Sequence, residues 1–103
     1  MAVIDKSQLK SELVSALAND TLVEKIVVFG SFTNSMTPHD MDVAVFYNSD
    51  EDYLPLALAL RKKLRALSRK IPVDLLPITS LSNNESLFMS EINKGEVVYE
   101  KRH

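Results

Sequence analysis

The sequence predicts an α+β fold in which a small mixed sheet of about four strands carries helices packed on one face. Two observations predict it. Short apolar runs rich in β-branched residues, such as Glu24–Phe29, alternate with longer segments whose leucines recur at helical spacing, such as Asp52–Ser68. Gly, Pro, Asn and Asp residues separate these segments. The predicted order along the chain is therefore α-β-β-α-β-α-β.

Leucine periodicity and capping residues predict three longer helices. Asp5 or Ser7 can cap the first, and Pro55 is tolerated in the second because it lies in the first turn. Ser82, Asn83 and Asn84 can cap the third, which Gly95 would end. The predicted limits are Asp5–Leu17, Asp52–Ser68 and Glu85–Lys94.

Four strands complete the prediction. The first is apolar on both faces, which is typical of a central strand. Pro72 and Pro77 place the third at or near a sheet edge, because proline cannot donate a ladder hydrogen bond. A short helical turn can follow Ser31. The predicted strands are Glu24–Phe29, Asp40–Tyr47, Pro72–Ile78 and Glu96–Glu100.

The bulk composition favours an ordinary globular protein. A length of 103 residues predicts a single domain over residues 1–103. A net charge of -2 gives no overall attraction to nucleic acid or membrane, so no direct DNA binding is expected. The absence of cysteine excludes disulfides and thiolate metal sites. No signal peptide and no membrane-spanning run is visible, so we expect a cytoplasmic protein.

One segment concentrates the basic residues. Arg61, Arg65 and Arg69 recur at i, i+4 spacing, which places them together on one helical face. A solvated face opposite the leucines is favoured over a patch for RNA or for an acidic partner. The segment holds half of the chain's lysines and arginines, namely Arg61, Lys62, Lys63, Arg65, Arg69 and Lys70.

The first two strands carry the residues that point to chemistry. Gly30-Ser31 ends one strand, and Asp40 and Asp42 open the next. Side chains at i and i+2 of a strand point to the same face, so the two carboxylates would lie side by side. They repel each other unless a cation lies between them, and Mg²⁺ is the ion that prefers such oxygen ligands. Ordinary solvent-facing acids, with Ser31 as a helix cap, are the alternative interpretation.

A third acid lies in a later strand. Asp74 is the only carboxylate within its apolar run, where an isolated charge is costly unless it is paired or bound to metal. If this strand lies beside the second, Asp74 can reach the same site. Three carboxylates could then hold two Mg²⁺ ions and leave room for a triphosphate and an attacking hydroxyl. Pairing of Asp74 with a lysine or arginine is the alternative.

Gly30-Ser31, Asp40-x-Asp42 and the later Asp74 together resemble the DNA polymerase β-type nucleotidyltransferase superfamily. The similarity is greatest to its minimal nucleotidyltransferases (MNT), often the antitoxins of HEPN/MNT toxin–antitoxin pairs. The ending Glu91-Ile92-x-x-Gly95-x-Val97-Val98-Tyr99 also resembles theirs, so the resemblance covers nearly the whole chain.

The resemblance implies a role for each motif residue. Gly30 and Ser31 would contact the triphosphate of the nucleotide. Asp40 and Asp42 would hold both metals. Asp74 would hold the catalytic metal and help to deprotonate the acceptor hydroxyl. In antitoxin relatives, AMP passes from ATP to a tyrosine hydroxyl of the helical HEPN toxin.

The chain departs from the family pattern in one loop. Asn34-Ser35 stand where many relatives carry Arg-Gly, so a phosphate-binding cation is expected to be missing there. The loop is also shorter than usual, and His39 stands where a serine is common. We expect His39 to be a loop residue rather than a ligand, because Mg²⁺ prefers oxygen. No proposed metal ligand is lost.

The residues and the resemblance together predict a Mg²⁺-dependent nucleotidyltransferase that uses a nucleoside triphosphate, with ATP favoured, and modifies a protein hydroxyl. The resemblance implies a HEPN-type helical protein as the partner. One alternative is a non-catalytic module that neutralises a partner by masking it. Another is a transferase for small molecules, which would ordinarily need a further domain to bind its acceptor. The sequence leaves the oligomeric state open, and a homo-oligomer is among the candidates.

Overall fold

A computed structural model of the chain describes residues 5–79 and 87–101. Its strands are β1 (Val23–Phe29), β2 (Met41–Tyr47), β3 (Val73–Ile78) and β4 (Glu96–Glu100). They form one four-stranded mixed sheet in the order β3-β2-β1-β4. β1 pairs antiparallel with β2 and β4, whereas β2 pairs parallel with β3. The α+β prediction is confirmed, with β1 inside the sheet and the proline-bearing β3 at its edge.

Five helical segments accompany the sheet in the described ranges. They are α1 (Lys6–Leu17), α2 (Ser31–Asn34), α3 (Tyr53–Lys63), α4 (Arg65–Ser68) and α5 (Leu87–Asn93). The predicted continuous helix Asp52–Ser68 is instead divided at Leu64, whose φ of -98° and ψ of 11° interrupt the helical conformation. The predicted cap at residues 82–84 and the predicted helix start at residue 85 lie outside the described residues.

The larger core lies between one sheet face and the helices α1, α3 and α4. Alternate residues of each strand point to this face, as the two-residue repeat of a strand requires. A bulge between Val23 and Lys25 shifts this alternation near the start of β1. The strands contribute Val23, Ile26, Val28, Met41, Val43, Val45 and Leu75, and the helices contribute Leu9, Leu13, Leu17, Leu56, Leu60 and Leu67.

A smaller core covers the opposite face, where Ile92 of α5 packs with Val27, Phe29, Ala44 and Ile78. The expectation that all helices pack on one face is therefore wrong in this detail. The strand order explains it. The connection from β2 to β3 moves toward one sheet edge, and the connection from β3 to β4 moves back across the sheet. Since parallel crossovers are right-handed, helices on oppositely directed crossovers lie on opposite faces.

Gly95 ends α5 and begins the return to β4, as the sequence predicts. Its N–H donates to the carbonyl of Ile92 at 2.9 Å. A Cβ at this position would lie 2.6 Å from the carbonyl oxygen of Val28, so the close approach of the turn to β1 requires glycine.

No helix in residues 5–79 or 87–101 is long and apolar enough to span a membrane.

Candidate active site

The three predicted acids come together at the end of the sheet where β2 and β3 begin. Asp42 and Asp74 are register partners in the parallel pair, and Asp40 immediately precedes β2. One carboxylate oxygen from each of the three lies within 4.8 Å of the others. Asp40 and Asp42 are half-buried and Asp74 is exposed. Alternation along β2 and β3 turns Asp42 and Asp74 toward the face that carries α5.

Gly30 lies directly against this acidic group. Its φ of 75° and ψ of -149° belong to a region that residues with a side chain rarely adopt. A methyl group added at Gly30 would collide with Oδ2 of Asp42. The absence of a side chain therefore allows both the sharp turn after β1 and the approach of the Asp42 carboxylate to that turn.

Side-chain hydrogen bonds hold the turn and connect it to the acids. The Ser31 hydroxyl donates to Oδ1 of Asp40 at 3.1 Å. The Thr33 hydroxyl and the Asn34 amide both donate to the carbonyl oxygen of Gly30, at 2.8 and 3.3 Å. Gly30 and Ser31, which the sequence predicts as the triphosphate contacts, are thus adjacent to the predicted metal ligands.

Burial and neighbouring charges both act on Asp42 within the acidic group. Burial raises the pKa of Asp42 above its ordinary value, and the charges of Asp40 and Asp74 and a side-chain hydrogen bond with Asp74 raise it further. Among the described residues, no lysine or arginine forms an ion pair with any of the three. An ion pair of Asp74 with a lysine or arginine, the alternative considered above, is therefore not found among the described residues.

A divalent cation fits this donor set. All three side chains offer carboxylate oxygens, the ligands that Mg²⁺ prefers. Burial raises the pKa of Asp42 and repulsion by the other two acids adds to it, and a cation between the three carboxylates would offset that repulsion. Three protein oxygens also leave coordination positions for water or for phosphate oxygens, which is how Mg²⁺ is commonly bound at nucleotide sites.

Residues 11–103 match the protein family described as "Polymerase beta, Nucleotidyltransferase". The chain belongs to the polymerase beta nucleotidyltransferase family. The match spans the turn at Gly30, the acidic group and all four strands. The family implies a nucleoside triphosphate and a divalent metal, which agrees with the donor set described above. None of the curated proteins shows a significant match.

Two solved structures are similar in fold to this polymerase beta family member. The first contains a tri-AMPylated HEPN toxin from Shewanella oneidensis in complex with MNT antitoxin. The matched chain has a TM-score of 0.68 at 19% identity, covering 94% of this chain and 74% of that chain. The second is the toxin–antitoxin MntA–HpeT carrying two Asp-to-Glu substitutions. Its TM-score is 0.63 at 16% identity, covering 96% of this chain and 75% of that chain. At these identities the similarity establishes the fold.

The loop that departs from the family pattern makes a contact that the sequence did not reveal. The Lys6 ammonium donates to the carbonyl oxygen of Ser35 at 2.9 Å and lies 5.2 Å from the centre of the Phe32 ring. Lys6 and Ser35 are 29 residues apart, and no motif joins them. His39 is exposed and lies outside the acidic group, as expected for a loop residue.

Proposed function

We propose that this chain is a Mg²⁺-dependent nucleotidyltransferase that moves AMP from ATP to a hydroxyl of a protein. The proposed acceptor is a helical HEPN-type toxin, which would make the chain its antitoxin. One observation carries the proposal: carboxylates from β2, β3 and the residue before β2 converge within 4.8 Å, beside the Gly30–Ser31 turn. A metal site next to a phosphate-binding turn is what nucleotidyl transfer requires.

The proposed roles follow the positions of the side chains. Asp40 and Asp42 would hold two Mg²⁺ ions, and Asp74 would hold the catalytic one. The ions would supply positive charge that activates the acceptor hydroxyl and stabilises the leaving pyrophosphate. Gly30 and Ser31 would contact the triphosphate, with the Ser31 hydroxyl exchanging its bond to Asp40 for a phosphate oxygen.

The proposed reaction is one substitution at phosphorus. The acceptor oxygen forms a bond to the α-phosphorus of ATP, and the bond from that phosphorus to the bridging oxygen breaks. Pyrophosphate leaves, and the hydroxyl proton passes to a carboxylate. Asp74 is the proposed proton acceptor because it is the most exposed of the three acids and can be reached from solvent by a second macromolecule.

Two further observations support a protein acceptor. Asp74 is exposed, so one side of the acidic group is open to a large acceptor and a partner would complete the site. The toxin in the Shewanella oneidensis complex is itself tri-AMPylated, which supports AMP as the transferred group and ATP as its source. The proposed reaction takes place in the cytoplasm, where ATP is available.

The test is incubation of the purified chain with ATP labelled at the α-phosphate, Mg²⁺ and a helical HEPN-type partner. We expect label on the partner and a mass increase equal to AMP on a hydroxyl side chain. Asp42→Ala should reduce this labelling by about 100-fold or more, because it removes a proposed ligand of the Mg²⁺ ions that would stabilise the charge of the transition state. Glu91→Gln is the matched control, since Glu91 is an exposed acid of α5 outside the acidic group.

Each alternative predicts a different result. A module that acts by masking would neutralise the partner equally well after Asp42→Ala, and no label would be transferred. A small-molecule transferase would label a hydroxylated compound in the absence of any protein acceptor. Either result would contradict the proposal.

A further inference from the structure

The loop that joins the nucleotide turn to β2 exposes an apolar side chain to solvent. Met36 is 91% exposed, the largest value among the exposed large hydrophobic residues of the described ranges. Its neighbours are held in place: the Thr37 N–H donates to the Ser35 hydroxyl at 3.1 Å, and Pro38 is buried. A molecule that contacts Met36 therefore meets a loop that is already ordered, which reduces the entropic cost of binding.

Both ends of this loop belong to the proposed active site. The Ser31 hydroxyl donates to Oδ1 of Asp40 at 3.1 Å, which closes the base of the loop beside the acidic group. Met36 precedes Asp40 by four residues, so their Cα atoms can be at most about 14 Å apart even if the chain between them is fully extended.

We propose that Met36 contacts the protein acceptor and contributes to its selection, an inference that rests on the proposed function. The acceptor hydroxyl has to reach the three carboxylates. An interface of ordinary size covers about 800 Å² on each partner, which corresponds to a disc of about 16 Å radius. A disc of this size around the acidic group includes Met36. The acceptor should therefore carry an apolar pocket near its modified hydroxyl, and a flexible methionine side chain suits such a pocket.

Position, rather than exposure, identifies the occupant. Single apolar side chains are common on protein surfaces, so the exposure of Met36 alone would indicate no partner. Leu22 shows the difference. It is also exposed, at 40%, but it immediately precedes β1 and so lies at the opposite end of that strand from Gly30. Eight residues of extended strand span about 25 Å, which places Leu22 outside the disc.

Met36→Gln tests the contact, because glutamine keeps the length of the side chain and removes its apolar end. We expect the dissociation constant for the HEPN-type partner, measured without ATP, to rise about tenfold through the loss of buried apolar surface. The KM for the partner should rise by the same factor. The kcat at saturating partner and the affinity for a fluorescent ATP analogue should not change.

Two variants control this test. Met36→Leu should keep the affinity within about threefold, since it conserves apolar volume. Leu22→Gln makes a similar change from apolar to polar outside the disc, so its affinity for the partner should equal that of the original chain.

Oxidation by hydrogen peroxide reports the contact without any substitution. The thioether sulfur of Met36 takes one oxygen atom to become the sulfoxide, and the peroxide is reduced to water. Mass spectrometry should show rapid oxidation of Met36 in the free chain and at least about fivefold slower oxidation with saturating partner, because access controls the rate. Met41 is completely buried and should resist oxidation in both samples.

Three results would overturn the inference. They are equal affinity of Met36→Gln and the original chain for the partner, unchanged oxidation of Met36 at saturating partner, and weakened ATP binding by Met36→Gln. Each can be obtained with a chain that transfers label normally. A complete absence of label transfer by the original chain would instead contradict the proposed function, so the two failures are distinguishable.

Discussion

Gly30 determines how closely the turn after β1 can approach the acidic group. Both its positive φ and the position of Asp42 Oδ2 exclude a side chain. We predict that Gly30→Ala lowers the free energy of unfolding by about 1–3 kcal/mol, the usual range for a strained residue at such a position. Because the new methyl group displaces the Asp42 carboxylate, binding of Mg²⁺ or Mn²⁺ should also be lost, as measured by titration calorimetry.

Gly95→Ala is the control for this change. A Cβ there would crowd the Val28 carbonyl and the Phe29 side chain, so the variant should also lose stability. It does not touch the carboxylates, however, and cation binding by its folded fraction should be unchanged. Equal cation binding by Gly30→Ala and the original chain would show that the turn does not position Asp42.

Asp42 is expected to destabilise the fold that it serves. Its pKa is raised by burial and by the neighbouring acids, so the ionised carboxylate opposes folding, and stability should rise as the pH falls through the raised pKa toward 3.8. At pH 7 without divalent cations, Asp42→Asn should therefore raise stability by about 0.5–1 kcal/mol after allowance for solvent screening. Thermal melting should show an increase of a few degrees.

Addition of Mg²⁺ should reverse the order of the melting temperatures of the original chain and the Asp42→Asn variant. A ligand that binds only the folded state stabilises it, so the original chain should melt at a higher temperature with Mg²⁺ and the Asp42→Asn variant should not. Glu91→Gln controls for the change in net charge and should behave like the original chain. A melting temperature for Asp42→Asn below that of the original chain in EDTA would contradict the prediction.

Sequence spacing was sufficient to predict that Asp40 and Asp42 lie together, because strand alternation fixes their common direction. The contribution of Asp74 required one further fact, the parallel pairing of β2 with β3, which spacing alone does not specify. The Lys6 contact with Ser35 was not predictable, since a long side chain can reach many backbone carbonyls and nothing in the sequence selects one.

At the scale of elements, Asp20 joins three parts of the chain. Its carboxylate accepts hydrogen bonds from the Tyr47 hydroxyl at 2.7 Å, the Lys63 ammonium at 2.9 Å and the Leu22 N–H at 3.0 Å. Burial acts to raise the pKa of Asp20, but these hydrogen bonds and the charge of Lys63 outweigh it and lower the pKa. The stability that the ionised Asp20 carboxylate contributes to the fold should therefore be lost as the pH falls below 3.8.

Tyr47→Phe tests this junction. We predict that the free energy of unfolding falls by about 1 kcal/mol at neutral pH, which is the usual net value of one hydrogen bond. Burial, followed by the hydrogen bond to Asp20 and its charge, raises the pKa of Tyr47 from 10.0 to about 12. The folded chain holds the Tyr47 proton more tightly than the unfolded chain. The contribution of this hydroxyl to stability is therefore complete below about pH 10 and is lost as the pH rises toward 12.

Chemical denaturation at about pH 7, 9 and 11 should therefore show a stability difference between the original chain and Tyr47→Phe that is constant up to about pH 9 and smaller at about pH 11. Tyr53→Phe is the control. The Tyr53 side chain is 53% exposed, so removal of its hydroxyl should change stability little at any of these pH values. A difference for Tyr47→Phe that grows above about pH 10 would contradict the assigned hydrogen bond.

The elements themselves were largely predictable because each carries a distinct period. β4 begins and ends where the sequence predicts, and β1, β2 and β3 differ by one residue at their starts. The interruption at Leu64 was not visible, since leucine favours helix and only packing in the core reveals the turn. The sheet face on which α5 packs depends on the strand order, which an amphipathic sequence pattern does not encode.

At the scale of the whole molecule, α1 connects the loop that follows the Gly30–Ser31 turn to β4 at the edge of the sheet. Lys6 at its start contacts the Ser35 carbonyl, and Lys10 forms an ion pair with Glu96 of β4 at 2.7 Å. Lys6 precedes the segment that matches the family, which begins at residue 11. The N–H of Ser35 in turn donates to the Ser31 carbonyl at 2.8 Å, so Lys6 is connected through one residue to the proposed phosphate contact.

Lys6→Met should therefore weaken ATP binding without changing the chemical step. Loss of a hydrogen bond that orients the turn, worth about 1 kcal/mol, corresponds to about a fivefold rise in the dissociation constant and in KM, with kcat nearly unchanged. Fluorescent nucleotide titration measures binding apart from transfer.

Two control variants separate the contact from the charge. Lys6→Arg should restore most of the affinity because it keeps the hydrogen-bond donor. Lys10→Met removes the same charge from the same helix but breaks only an exposed ion pair with Glu96, so its affinity should equal that of the original chain. Equal weakening by Lys6→Met and Lys10→Met would indicate a general effect of charge, because only Lys6 contacts the loop that follows Ser31.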